Sequence, residues 1–162
     1  MNIVVGADHR GVSVLRQVLP LIEQSGCQVL NHEPCDDRTC DYPDIAYPVA
    51  QTVACGEADR GILICGSGIG MCIAANKVDG VRAALVHDEI TAEMSRRHND
   101  ANVLCLAADL LGNRVIERII GLWLTTEFEG GRHARRISKI AAIEQGRSPD
   151  TITDDAVVTE QE

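Results

Sequence analysis

Short apolar runs separated by helical periodicity constrain this chain more tightly than any other feature of its sequence. Ile3-Val4-Val5, Gly61-Ile62-Leu63-Ile64-Cys65, residues 81–86 and residues 103–106 are near-continuous apolar segments, as expected of strands covered on both faces. Residues 28–31 form a further strand candidate. Between the runs, residues 12–25 place Val14, Leu15, Val18, Leu21 and Ile22 on one helical face before Gly26 ends the pattern. Residues 44–55 do the same with Ala46, Val49, Ala50 and Val53 ahead of Gly56. Residues 89–97 form another helix, and residues 112–124 turn Val115, Ile116, Ile119, Leu122 and Trp123 inward. A last helix is expected over 132–145. Pro20 should kink or interrupt the first helix, whereas Pro48 sits near a first turn, where it costs little. Strands alternating with helices predict a parallel sheet of about five strands with right-handed crossovers, an α/β sandwich of three layers.

A chain of 162 residues fits one domain, here expected over 1–145, with residues 146–162 forming an acidic, aperiodic and disordered tail. No stretch approaches the roughly 18 apolar residues of a membrane span, and Asn2-Ile3-Val4-Val5 opens the chain without a basic leader, so a cytoplasmic protein with no membrane partner is expected. A net charge of -9 and 2% aromatic residues leave neither a basic groove nor a stacking surface for nucleic acid. Seven cysteines at irregular spacing fit neither a disulfide framework nor paired zinc ligands, and most are expected to be small buried hydrophobes. Cys35 and Cys40, in the loop predicted over 35–42, lack the second ligand pair that a metal site needs.

Ligands of open parallel sheets collect outside the carboxyl ends of the strands. Two such segments are rich in chemistry: Gly6-Ala7-Asp8-His9-Arg10-Gly11, and Cys65-Gly66-Ser67-Gly68-Ile69-Gly70. The glycine loop offers backbone N–H groups to an anion at the start of a short helix. It is not a lysine-ending phosphate loop, because Lys77 comes too late, and it lacks the spacing and strand-end acid of a dinucleotide fingerprint. A phosphotyrosine phosphatase loop would need Arg where Met71 stands. Cys65 is either a packed strand cysteine or a thiolate stabilised by the loop amides, a usable base or nucleophile near neutral pH. Asp8-His9 suits a helix-capping turn as well as it suits a site. Arg132 and Arg136, four apart after Gly130-Gly131, would clamp a phosphate or form a solvated basic face, the reading that Arg135 fits.

Taken in order, Gly6-Ala7-Asp8-His9, Asp41-Tyr42-Pro43, Ile64-Cys65-Gly66-Ser67-Gly68-Ile69-Gly70, Ala74-Ala75-Asn76-Lys77, Ser95-Arg96-Arg97-His98-Asn99-Asp100 and Gly130-Gly131-Arg132-His133 closely resemble the ribose-5-phosphate isomerase B family. The resemblance spans 1–145. It implies a Rossmann-like sandwich, a homodimer or tetramer with shared active sites, no metal or other cofactor, and interconversion of ribose 5-phosphate and ribulose 5-phosphate through an enediolate in the pentose phosphate pathway. A six-carbon substrate such as allose or galactose 6-phosphate would need only a longer pocket. A non-catalytic phosphosugar-binding subunit would not need Cys65, Ser67, Asp8 and His98 together.

Carried over by position, the resemblance implies that Cys65 is the base, that Ser67 and the amides of Gly66, Gly68, Ile69 and Gly70 hold the enediolate oxygens, and that Asp8 and His98 open the sugar ring. It assigns Asn99 and Tyr42 to substrate contact and His9, Arg132 and Arg136 to phosphate. Some relatives place a Glu base where Met71 stands. Relatives commonly carry an Arg after the fifth strand, and Asp109 replaces it here. His98 and Asn99 end a helix just before a strand, at the amino edge of the sheet. Cys65 and Asp8 follow strands, at the carboxyl edge, so a shared site between two subunits is expected.

Overall fold

The computed structural model describes residues 1–31, 35 and 39–153. The elements run β1 (Asn2–Ala7), α1 (Val12–Gln24), β2 (Gln28–Asn31), α2 (Tyr42–Ala54), β3 (Arg60–Cys65), α3 (Ile69–Ala75), β4 (Ala83–Leu85), α4 (Glu89–Asn99), β5 (Val103–Ala107), α5 (Asn113–Thr125) and α6 (Arg132–Glu144). The five strands pair in parallel throughout, in the order β2-β1-β3-β5-β4.

The continuous apolar runs are explained by cover on both faces of this sheet. Ile3, Val5 and Ala7 of β1, Ile62 and Ile64 of β3, and Leu104 and Leu106 of β5 point into one core with α1 and α5. Their neighbours Val4, Leu63, Cys65, Val103 and Cys105 point the other way, into a second core with α2 and α3. Side chains alternate across a strand, so a residue pair such as Ile62 and Leu63, both fully buried, serves two cores at once. Each such aliphatic side chain contributes about 1.5–3 kcal/mol relative to exposure.

The chain leaves β1 toward β2 on one side and returns to β3 on the other, so connections diverge between the carboxyl ends of β1 and β3. A crevice opens where connections diverge in this way. Register places Ala7 beside Ile64 and Cys65 beside Ala107, which brings the segments after β1, β3 and β5 together at that edge.

Several sequence expectations need correction. Pro20 does not end α1, which runs on to Gln24, and it is exposed in the last turns. The second helix begins at Tyr42 rather than 44, with Pro43 in its first turn, and the fourth strand is shorter than the run over 81–86. Cys35 and Cys40 form a disulfide, so these two cysteines are neither a metal pair nor free thiols. Their sequence separation of 5 closes too small a loop to register as a framework. Ordered structure also runs past the expected boundary at Gln145: Pro149–Thr151 form a 3-10 turn, and Lys139 Nζ donates to the Pro149 carbonyl at 2.8 Å. The remainder of the expected tail, 154–162, lies outside the described residues. No helix among the described residues is long and apolar enough to cross a membrane.

Candidate active site

The run Ile62-Leu63-Ile64 drives β3 through the core, and its last residue, Cys65, emerges at the carboxyl edge, buried at 4% exposure. The Gly68 N–H donates to Cys65 Sγ at 3.1 Å, so the loop turns a backbone donor onto the sulfur. That turn demands glycine. Gly68 has φ 74°, and a Cβ there would lie 2.5 Å from Leu85 Cδ1 and 3.1 Å from the Leu106 carbonyl carbon. Ser67 Oγ accepts from the Ile69 N–H at 3.4 Å where α3 begins.

Asp8 belongs to a turn and to a cavity wall at once. Its Oδ1 accepts from the Arg10 and Gly11 N–H groups at 2.9 and 3.1 Å, fixing the turn from β1 into α1. It is nonetheless one wall of a cavity of about 360 Å³ lined by Asp8, Arg10, Tyr42, Cys65, Gly66, Ser67, Gly70, Asp109 and Leu110. Tyr42, at the start of α2, lies flat enough on the loop that a Cβ on Gly70 would meet its ring at 2.6 Å. Arg10 and Asp109 close the far side: Arg10 Nε donates to Asp109 Oδ2 at 2.5 Å. That hydrogen bond, reinforced by the carboxylate charge, raises the Arg10 pKa above the ordinary guanidinium value.

A second group of side chains gathers away from this cavity. His98, in the last turn of α4, stacks on His133 of α6 with ring centroids 4.2 Å apart and planes within 2°. Glu129 Oε2 lies 3.7 Å from His98 Nε2 and 3.6 Å from His133 Nε2, while Glu129 Oε1 accepts from Arg97 Nε at 2.6 Å. Bonding to Arg97 holds the Glu129 carboxyl below its usual range. Burial pushes the His133 imidazole down, aided by the charges of His98, Arg132 and Arg136. Arg132 Nε donates to His133 Nε2 at 3.4 Å, which fits a neutral ring. Arg132 and Arg136 are exposed on the first turns of α6. Asn99 lines another cavity, with Val81, Arg82 and Ala101 at the amino ends of β4 and β5.

His98, Glu129 and His133 are close enough to share a metal ion. A cation bound in the plane of both rings would require their parallel stack to open, and Arg97 already occupies one oxygen of the carboxylate.

Comparison with known proteins identifies the family and the fold. The model of the ribose/galactose isomerase family matches residues 3–140. Ribose-5-phosphate isomerase B of Escherichia coli is 40% identical over 147 residues, covering 91% of this chain and 99% of its own. D-erythrulose-4-phosphate isomerase of Pectobacterium atrosepticum is 40% identical, covering 89% and 95%. Among solved structures, ribose-5-phosphate isomerase B of Mycoplasma genitalium, with ribulose 5-phosphate bound, superposes with a TM-score of 0.84 at 42% identity, covering 89% of this chain and 96% of that one. The chain belongs to the ribose/galactose isomerase family, whose sugar isomerases are of the aldose–ketose type. Within that family its sequence and its Rossmann-like sandwich are similar to those of the type B ribose-5-phosphate isomerases.

Of the residues singled out from sequence, the structure brings together Asp8, Tyr42, Cys65, Gly66, Ser67 and Gly70. Gly68 and Ile69 support the loop from behind, and His9 is exposed outside the cavity lining. His98, Arg132 and Arg136 lie with the second group and Asn99 at the amino edge. Sequence reasoning missed Arg10 as a wall of the Cys65 cavity and Glu129 as the partner of His98. Only the strand order shows that Arg10 and Asp109 flank Gly66 from β1 and β5.

Proposed function

We propose that this chain, through its 1–145 segment, interconverts D-ribose 5-phosphate and D-ribulose 5-phosphate, with Cys65 as the base. The observation that carries the reading is a buried Cys65 sulfur that receives the Gly68 N–H and still lines the cavity with Asp8 and Ser67. The thiolate takes the proton from C2 of the open-chain aldose, and the electron pair moves through C1–C2 onto the C1 oxygen. Loop amides stabilise that enediolate charge. The proton returns from the Cys65 thiol to C1, while the hydroxyl proton moves from O2 to O1, leaving the ketose with no net gain or loss of electrons. Met71, fully buried in the second core, offers no competing base.

Asp8 begins ring opening together with His98, which reaches the cavity from a second copy of the chain. The separation of the two groups in one chain supports this arrangement, as do exposed Ile69 and Ile73 on α3, 50% and 59% exposed beside the Cys65 loop. A partner covering that apolar stripe in a two-fold dimer brings its own residues to the cavity mouth. Arg132 and Arg136 of that partner then meet the phosphate. We assign the enzyme to the cytoplasm. The deciding experiment compares kcat/KM for ribose 5-phosphate, allose 6-phosphate, galactose 6-phosphate and erythrulose 4-phosphate, with and without chelator. The largest constant belongs to ribose 5-phosphate and survives chelation; turnover of none of the four would refute the reading.

A further inference from the structure

The geometry points to Arg10 as the cation that receives the phosphate group inside the Cys65 cavity, with Asp109 as the residue that positions it. This rests on the isomerase reading above and adds a residue to it. Arg10 is the one basic side chain among the described residues that line that cavity. Its backbone is fixed by the bond from its N–H to Asp8 Oδ1 at 2.9 Å, so the side chain leaves the turn in one direction. Asp109 holds it by Nε, the inner nitrogen. The two Nη amino groups make no hydrogen bond among the described residues, and the side chain is 56% exposed, which leaves those donors available to an anion.

Packing of the pair bears on the reacting loop itself. A Cβ on Gly66 would fall 2.6 Å from Asp109 Oδ2 and 3.0 Å from both Cδ and Nε of Arg10. The pair therefore rests directly on the backbone that follows Cys65. Asp109 is anchored in turn, because its N–H donates to the Gly66 carbonyl at 3.0 Å. A guanidinium held this way is preorganised, and a planar fork matches phosphate oxygens better than a point charge does. The arrangement also resolves why an acid stands at this cavity: Asp109 directs a cation rather than facing the phosphate alone. Within one chain, Arg132 and Arg136 lie with His98 and His133 on the other group of side chains, so the local cation at the Cys65 cavity is Arg10.

The test measures kcat and KM for ribose 5-phosphate, together with competitive inhibition by inorganic phosphate, in wild type, Arg10→Ala, Arg10→Lys and Asp109→Asn. Arg10→Ala should raise both KM and the phosphate inhibition constant about 10-fold with kcat nearly unchanged, as loss of a charge-assisted contact made equally in ground and transition states does. Arg10→Lys should recover part of that loss. Asp109→Asn, which keeps the side-chain volume, should raise both constants by a smaller factor, about 3-fold, because the cation stays but loses its direction. Equal phosphate inhibition constants in wild type and Arg10→Ala would overturn the proposal, as would a fall confined to kcat. Tighter phosphate inhibition in Asp109→Asn would overturn the positioning role. A wild-type protein that fails to turn over ribose 5-phosphate refutes the isomerase reading instead, and inorganic phosphate binding by calorimetry to wild type and Arg10→Ala still decides the role of Arg10.

Discussion

Gly68→Ala perturbs the Cys65 loop by a single methyl group, and its cost follows from the geometry. The residue sits at φ 74°, where an L side chain costs about 1–2 kcal/mol. Its new Cβ would stand 2.5 Å from Leu85 Cδ1, which can rotate away, and 3.1 and 3.2 Å from the Leu106 carbonyl carbon and oxygen, which cannot. Relief must come from the loop, and forced displacement of this kind adds about 1–3 kcal/mol. Urea denaturation should therefore show a loss of about 2–5 kcal/mol with an unchanged m-value. Movement of the loop also withdraws the Gly68 N–H from Cys65 Sγ, now 3.1 Å away. Removal of one such donor lowers kcat by about 10²-fold, while KM should change much less, because Arg10 and Asp109 sit on the opposite side of the loop. A variant within about 0.5 kcal/mol of wild type in stability and with unchanged kcat would refute both the strain argument and the role given to this amide.

Cys65→Ala should lower kcat by at least 10²-fold while calorimetric affinity for ribose 5-phosphate stays within a few-fold of wild type, since a missing base acts on the transition state. Alkylation with iodoacetamide followed by peptide mapping should show ligand protection at Cys65; Cys72, whose thiol is brought down to about 7 chiefly by its hydrogen bond with Cys105, serves as the unprotected comparison. Mixing Cys65→Ala with His98→Asn under subunit exchange should restore about a quarter of wild-type activity, because half of randomly paired dimers are mixed and each carries one intact site. No recovery would place His98 and Cys65 in the same chain's site. Stability should fall as pH drops from about 7 toward 5, because the unfolded chain takes up the His133 proton near the ordinary value of about 6.5 while the buried ring resists it. His133→Asn should flatten that slope in thermal melts; Glu129, whose carboxyl is held low, loses its contribution only at more acidic pH.

Much of the architecture was legible because burial on both faces leaves a strong mark. A run as short as Ile62-Leu63-Ile64, between Gly61 and Gly66, suits a covered strand, and the spacing of Val14, Leu15, Val18 and Ile22 suits one helical face, all four buried in the structure. The Cys65 loop and the Asp8 turn were legible as well, since both follow strands and both carry residues that backbone packing alone does not explain. Three things were not. Pro20 looked like a breaker because sequence does not show that its side of α1 is open to water. Cys35 and Cys40 looked unpaired because their bridge depends on a local fold of the loop. The pairing of Arg10 with Asp109 spans a sequence separation of 99, and it required knowing that β1 and β5 flank β3.

The single tryptophan of the chain, Trp123, is fully buried and has two guanidiniums near its ring, Arg60 at 5.3 Å and Arg96 at 5.8 Å from the centroid. Arg60 opens β3 and Cys65 closes it, so about 16 Å of extended chain separates the residue that touches the indole from Cys65. The protein thus carries its own optical gauge of integrity at the far end of the strand from Cys65. Emission from Trp123 should shift to the red when the sandwich opens and stay still when a sugar phosphate fills the cavity, which lets one cuvette distinguish an inhibited enzyme from an unfolded one.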